Sequence, residues 1–529
     1  MTTIILLASV VILLCVFANK LAARTGMPVL LCFIGLGMLF GADGPLGIYY
    51  SNIELTDHIC SICLAFVMFY GGFGTSWKTA KPVAGKAILL SFMGVLITAL
   101  SLTFFCGFIL KMSWQESFLI GSVLSCTDAA SVFSILRSKR LSLKYGTAPL
   151  LEIESGSNDP TSFMLTTMAI TFITGAKTSI GYMIFAQLVF GGLIGVAIAV
   201  IAIIILKKTT MVPEGLDTIF LVAIVLASYS LPLIIDGNEY LSVYLTGIIL
   251  GNSSIRHKKI LVPFFDGITN LAQICIFFIL GLLSFPTKLP GVFLIAILIA
   301  LFLLFIGRPL AVFIIMTPFK ASFKQQLLIS WAGLRGASSI VFAIYAVCNI
   351  TNLENDLFHI VFMVSLLSVA IQGTLLPRVA AALNMIDYTS DVLKTFNDYQ
   401  EDSSLTLMRM FIPPGHNWEN KLVEKVSMPT DSLALMIRRG DETIIPRGNT
   451  RILAGDSIIF SVPQVEDSGE INLREVTITP SHEWADKRIE ELNLPPQVLI
   501  AMIRRGDENM IPRGKTQILP GDTVVIYDD

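Results

Sequence analysis

The sequence predicts a polytopic α-helical membrane protein, with about 13 transmembrane helices, inverted repeats and two discontinuous crossing helices. A cytoplasmic α+β tail of two tandem small modules follows. Three observations predict this. Of 529 residues, 54% are hydrophobic and only 14% charged, an imbalance foreign to soluble domains. Ionisable residues sit mostly in short gaps between apolar runs up to about Met385, and become frequent from Asp387 onward. The tail repeats itself: "MIRRGDETIIPRGNTRILAGDSIIF" (Met436 to Phe460) recurs as "MIRRGDENMIPRGKTQILPGDTVVI" (Met502 to Ile526). The net charge of -2 gives no reason to expect nucleic acid.

Apolar runs long enough to cross hydrocarbon read as helices near 3–20, 27–42, 59–75, 82–110, 115–136, 148–175, 180–206, 215–233, 240–252, 260–284, 289–316, 325–349 and 357–383. Lys20 and Arg24 follow the first run rather than precede it, which suits a spanning helix with its N-terminus outside rather than a signal peptide. Alternate loops then carry sixteen Lys and Arg on one side, from Lys20 to Lys324, against Lys111, Lys177 and Lys288 on the other. That bias places the basic loops and the tail in the cytoplasm of a plasma-membrane protein. The eight Cys all lie in or beside apolar segments, which argues against a disulfide framework. Cys60, Cys63 and His58 read as membrane packing rather than a metal site, and Gly191 to Gly195 as a helix-packing pair.

Ionisable groups at bilayer depth are costly, so each is a functional candidate: Asp128, Glu154, Asp159, Arg308 and Arg335. In "ESGSNDP" (Glu154 to Pro160), helical spacing puts Ser155 and Asp159 on one face and turns Glu154 away. Asp159 is expected to face water, and Glu154 to meet a fixed cation such as Arg335. "GSVLSCTDAAS" (Gly121 to Ser131) and "SWAGLRGASSI" (Ser330 to Ile340) have the composition of interrupted helices, tolerated in a membrane where they line a cavity. They fall in the fifth and twelfth predicted spans. An odd shift of seven inverts one half against the other, the pattern of secondary transporters.

"CTDAAS", "ESGSNDP", "GRPLAVF" (Gly307 to Phe313) and "AGLRGA" (Ala332 to Ala337), in this order, resemble the electroneutral cation/proton antiporter family that includes NhaP-type and sodium/proton exchangers. The similarity covers residues 1–385. It implies that Asp159 carries the ion and the proton, preceded by Asn158, and that Asp128, Thr127 and Ser155 supply further oxygens to a monovalent cation. It also implies a structural ion pair of Glu154 with Arg335, with Arg308 as the basic residue near the crossing. The alternative for Asp128 is a cap on a broken helix. Where many relatives carry an acid before two glycines in the third helix, this chain has "FYGG" with Tyr70, which is read with His359 as a packing or loop residue.

Residues 386–401 read as a linker, and 402–465 and 466–529 as two modules of strands and turns, each with a helix-like stretch near Asn417 to Lys425 or Glu483 to Leu492. They resemble the C-terminal subdomain of RCK/TrkA-type regulators of potassium transport. The resemblance implies either a dimerisation platform or a sensor of a small molecule such as cyclic di-AMP. Arg438, Arg439, Arg504 and Arg505 are the candidate regulatory residues, with hairpin decoration as their plainer reading. The resulting expectation is a homodimeric, non-enzymatic antiporter without a cofactor, exchanging potassium, or sodium, for protons by alternating access. A carboxylate in a narrow cavity suits this, because a proton and an alkali cation compete for the same oxygens. The rivals are a ligand-gated cation channel, against which the absence of a TVGYG-like filter argues, and a membrane sensor that transports nothing.

Overall fold

In the computed structural model the chain divides into two compact units, 1–400 and 401–529. The structure describes residues 2–25, 28–138, 141–208, 213, 215–255, 258–387, 405–426, 428, 432–439, 442–463, 473–479, 482–492, 494, 498–505, 508–510 and 512–528. Most of the expected linker lies outside these, as do the side chains of Arg24, Arg137, Lys139, Arg140, Lys208, Arg256 and Lys259.

The first unit is helical. It begins with α1 (Thr2–Thr25), α2 (Val29–Phe40) and α3 (Ile53–Gly74), and α4 (Trp77–Leu89) then continues through a π-helical turn (Leu90–Gly94) into α5 (Val95–Phe108). The short α6 (Trp114–Val123) and α7 (Ala129–Ser138) precede the unbroken α8 (Thr147–Thr174). A second π turn (Ala186–Phe190) joins α9 (Ile180–Phe185) to α10 (Gly191–Lys208), followed by α11 (Asp217–Leu233), α12 (Glu239–Gly251) and α13 (Lys258–Leu283). Next, α14 (Leu289–Phe302) passes through Leu303–Gly307 into α15 (Arg308–Met316), and the short pair α16 (Phe323–Trp331) and α17 (Ala337–Asn349) follows. The unit closes with α18 (Leu357–Leu367), a last π turn (Ser368–Gly373) and α19 (Thr374–Ala382). Six of the described helices are long and apolar enough to cross a membrane: Ile53–Gly74, Ala80–Phe108, Ile180–Lys207, Ile260–Leu283, Pro286–Met316 and Leu357–Ala382.

Helix starts are set by polar caps at the ends of apolar runs. Asn52 accepts from the Leu55 N–H, Asn238 from that of Leu241, Ser322 from that of Gln325 and Asp356 from that of His359, each satisfying a donor that the helix itself cannot. His359 also places Nδ1 2.8 Å from Asp356 and accepts the Phe285 N–H at Nε2, so it braces a loop. Gly191 and Gly195 lie against the backbone of Asn238 and Ser242, where an added Cβ would come within 2.6 and 2.5 Å; they are packing positions.

Two helix groups emerge. In one, α12 runs along α3, α13 along α2 and α10 along α12; in the other, α5 lies on α6, α6 and α4 on α8, and α14 on α18. They meet where α8 touches α12 and α3, and where α17 touches α3. A two-residue bridge, β1 (Ser142–Leu143) with β2 (Ile386–Asp387), ties the loop before α8 to the chain just after α19.

The second unit is two copies of one four-stranded antiparallel sheet. Strands β3 (Leu405–Phe411), β4 (Leu433–Arg439), β5 (Glu442–Ile444) and β6 (Ser457–Pro463) are ordered β3-β6-β4-β5, and β7 (Leu473–Thr477), β8 (Val498–Arg505), β9 (Glu508–Met510) and β10 (Thr523–Asp528) are ordered β7-β10-β8-β9. Ile437 pairs with Ile458 in one, Ile503 with Val524 in the other. Each module buries its own small core, which includes Ile412, Ile437, Ile452 and Ile458 in the first and Ile478, Ile503, Ile518 and Val524 in the second. The helix-like stretches are corrected: each is a run of turns ending in one 3-10 turn, Val423–Lys425 or Ile489–Glu491. Asn420 and Asp486 take left-handed backbone there, with φ of 63 and 62°, which ends any α-helical path.

Candidate functional site

The two interrupted helices cross at their breaks. Residues 124–128 separate α6 from α7, residues 332–336 separate α16 from α17, and the Asp128 N–H donates to the Leu334 carbonyl at 2.9 Å. This crossing requires glycine. A Cβ on Gly336 would lie 1.8 Å from Asp128 Oδ2 and 2.6 Å from its Cβ, and one on Gly333 would lie 2.8 Å from Arg308 Nε. Asp128 caps α7, its carboxylate accepting the Ser131 N–H at 3.2 Å and the Ser131 hydroxyl at 2.5 Å.

Helix α8 lies across the first break. The Ser155 hydroxyl donates to the Thr127 carbonyl, the Asn158 amide to Thr127 Oγ1, and the Ser162 hydroxyl to the Ser122 carbonyl, each at 2.6 Å. These bonds take up backbone and hydroxyl groups that the unwound segment leaves without helical partners. Asp159 accepts the Ser338 hydroxyl at Oδ2, 2.7 Å away, while its buried Oδ1 and the side-chain Oδ1 of Asn158 have no hydrogen-bond partner among the described residues. The structure thus brings Thr127, Asp128, Ser155, Asn158 and Asp159 into one cluster at the crossing.

Glu154 and Arg335 are not a pair. Arg308 Nη2 lies 2.6 and 2.7 Å from the two oxygens of Glu154, both side chains being almost fully buried. Arg335 instead donates from Nη1 to the carbonyls of Ser125 (2.9 Å) and Cys126, and its N–H donates to Ser368 Oγ. The reason is local. The break after α6 frees carbonyls that attract a cation, and the five-residue offset between Glu154 and Asp159 turns Glu154 towards α15 instead.

A cavity of about 340 Å³ opens onto this cluster. Its α8 wall is Glu152, Ser155, Gly156 and Asp159, and Asp128, Ala337 and Ser338 close its floor. Facing these are Tyr70, Gly71 and Gly74 of α3 and Asp266, Thr269, Asn270 and Gln273 of α13. Tyr70, read from the sequence as packing, is therefore a wall residue of the site. Glu152, which accepts the Thr75 hydroxyl at 3.0 Å, and the α13 residues were missed; the signal was polar side chains at helical spacing within apolar runs. Beyond Asp159 along α8 comes a cluster of rings. Phe163, one turn further along α8, packs against Tyr240, Tyr345 and Phe342 with centroids 4.9, 5.1 and 5.3 Å away.

In the tail, Arg439 and Arg505 are committed within their own modules. Arg439 donates to both oxygens of buried Asp456 at 2.8 and 2.9 Å and to the Arg451 carbonyl; Arg505 does the same with Asp522, at 2.8 Å to each oxygen, and with the Gln517 carbonyl. The "RRGD" and "AGD" or "PGD" signatures are thus two ends of one structural link. Arg438 and Arg504 are exposed.

Broken helices crossing beside a buried carboxylate define a class, the secondary transporters. Within it, residues 6–382 match the transmembrane family of sodium/hydrogen exchangers, and residues 407–465 and 473–527 each match the TrkA-C domain. The chain belongs to the sodium/hydrogen exchanger family, and it is a multi-pass membrane protein and a monovalent cation/proton antiporter. It is 34% identical to the K(+)/H(+) antiporter NhaP of Alkalimonas amylolytica, over 72% of this chain and 67% of that protein. With the K(+)/H(+) antiporter NhaP2 of Shewanella sp. (strain ANA-3) the identity is 31% over 85% of this chain and 79% of that one. The sodium proton antiporter MjNhaP1 from Methanocaldococcus jannaschii shares the fold: TM-score 0.62 at 24% identity, covering 70% of this chain and 99% of that structure.

Proposed function

We propose that the antiporter exchanges potassium, in preference to sodium, for protons at Asp159, electroneutrally and by alternating access. The observation that carries this is the position of Asp159, in the wall of a cavity with one buried oxygen unpartnered among the described residues, one turn from the rings around Phe163. A cation or a proton arriving through the cavity meets one carboxylate and competes for it. With Asn158 beside it in place of a second acid, one cation is matched by one proton. Thr127, Ser155 and Asp128 are hard oxygen donors of the kind alkali cations take, and Glu154 with Arg308 braces α8 against α15. The potassium-named relatives and the TrkA-C tail support potassium over sodium.

In this reading every helical stretch from α1 to α19, with α6/α7 and α16/α17 each counted as one crossing, contributes to thirteen spans. The N-terminus is outside and the tail in the cytoplasm of the cell membrane, by the bias of basic loops. The cavity then opens inward, since its walls come from the ends of α3, α8 and α13 nearest those loops. Residues 1–385 form the transport domain and 402–465 and 466–529 the regulatory modules of a homodimer. A small anionic regulator such as cyclic di-AMP would meet the tail at Arg438 and Arg504, while Arg439 and Arg505 hold the modules together. The test is proteoliposomes with an imposed potassium gradient, where protons should move in the opposite direction and Asp159→Asn should abolish the movement. Unaltered exchange in that variant would remove the proposed carrier.

A further inference from the structure

The α13 wall of the cavity has a role that the carrier cluster does not absorb. Asp266, Thr269, Asn270 and Gln273 recur at intervals of three, one and three residues, one face of a helix, and all four line the cavity. Across from them, Glu152, Ser155, Gly156 and Asp159 of α8 repeat the same spacing. Two polar stripes therefore face each other between the two helix groups.

The α13 stripe lies in an otherwise apolar run, where polar groups are costly without a ligand, water or partner. Asn270 donates to Asp266 Oδ2 at 3.2 Å, which orients the carboxylate. Thr269 is only 6% exposed, and its hydroxyl has no hydrogen-bond partner among the described residues although it lines the cavity. A buried hydroxyl costs free energy when unsatisfied, and this one lines the same cavity as Asp159. Carboxylate, hydroxyl and amide oxygens together are the donor set of a hard monovalent cation. The described lining contains four carboxylates, Asp128 in the break before α7, Glu152 and Asp159 on α8 and Asp266 on α13, and no Lys or Arg; such a cavity concentrates cations.

We propose that Asp266 and Thr269, with Asn270 and Gln273, form a second alkali-cation site on α13, where a partly hydrated cation waits before passing to Asp159 or after leaving it. The inference rests on the exchange reading above. Because the site belongs to the cavity mouth, it acts on only one face of the membrane.

The experiment compares right-side-out and inside-out vesicles carrying the full chain, with potassium, sodium and rubidium as probes. Asp266→Asn should weaken apparent affinity for the cation on the cavity face about fivefold, as expected for one charge lost at a water-filled wall. Affinity on the opposite face should stay as it is. Thr269→Val, which keeps charge and shape, should weaken affinity on the same face about threefold and alter the ratio of potassium to sodium, a readout that a purely structural hydroxyl would not move. Unchanged affinities in both variants overturn the site, and so does an equal loss on both faces. Asp159→Asn, run alongside, separates the two readings: if it still exchanges, the carrier assignment fails, whereas a one-sided affinity loss in Asp266→Asn bears on the α13 site alone.

Discussion

The break between α6 and α7 places Asp128 just before its second half-helix, while the break between α16 and α17 places Arg335 and Gly336 there. The acidic break lines the cavity and caps α7. The basic break turns its guanidinium back across the crossing, onto carbonyls that the first break has freed. One interrupted segment thus supplies the hydrogen bonds that the other lacks. Broken backbone is tolerated inside a membrane when such internal partners exist, and here they exist without drawing on Asp159.

The most disruptive way to break this comparison is to fill the space between the two segments. Gly336→Ala should abolish exchange, because the new methyl meets not only the Asp128 carboxylate but its Cβ at 2.6 Å, and no rotamer of Asp128 relieves that. Transport in proteoliposomes measures it; retained activity would show that the crossing is looser than its backbone contacts imply.

A smaller effect is expected from the pair that stands apart from the crossing. Arg308→Met leaves Glu154 buried without its cation, and Glu154→Gln does the reverse; each should destabilise the membrane unit by about 3 kcal/mol. The double variant should recover much of that loss, since replacing both partners removes the uncompensated charge. Thermal unfolding in detergent, followed by size-exclusion chromatography, reads all three. If the double variant falls by the sum of the two single losses, the pair is not the unit that the geometry describes.

What was legible in the sequence divides along physical lines. The polar cluster on α8 could be read because Ser155, Asn158 and Asp159 lie close together in an apolar run, and clustered polarity at bilayer depth has few structural explanations. The breaks could be read because Gly, Ser, Thr and Asp at 121–131, and Gly and Ser at 330–340, interrupt apolar runs. The partner of Glu154 could not. Arg308 and Arg335 are both distant in the chain, and the choice is made by the carbonyls of Ser125 and Cys126, which exist as acceptors only once α6 stops. The α13 stripe was overlooked because its four polar residues are spread over two turns among Ile, Leu and Phe, and Tyr70 because a tyrosine reads equally well as packing. In the tail the duplication was evident, but the link between each second Arg and its Asp, seventeen residues apart, needs the fold of the sheet to close it.

That link sets the mildest prediction. Burial alone would raise the Asp456 carboxyl, but the hydrogen bonds from Arg439 and the Leu453 N–H, with the Arg439 charge, outweigh it and hold the group below its ordinary value near 3.8. The hydrogen bond from Arg505 lowers Asp522 in the same way, against the opposing effect of burial. A carboxylate depressed in the folded state stabilises above its unfolded value and loses that stabilisation as pH falls through the folded one. Arg439→Ala in the full chain should therefore cost its module about 2 kcal/mol at neutral pH and progressively less below about pH 4, where the carboxylate is protonated in the unfolded chain. Amide hydrogen exchange of β4 and β6, read by mass spectrometry, measures the loss, and Arg505→Ala should reproduce it in β8 and β10. A loss that is the same at both pH values would assign the stabilisation to packing of the arginine stem rather than to its charge.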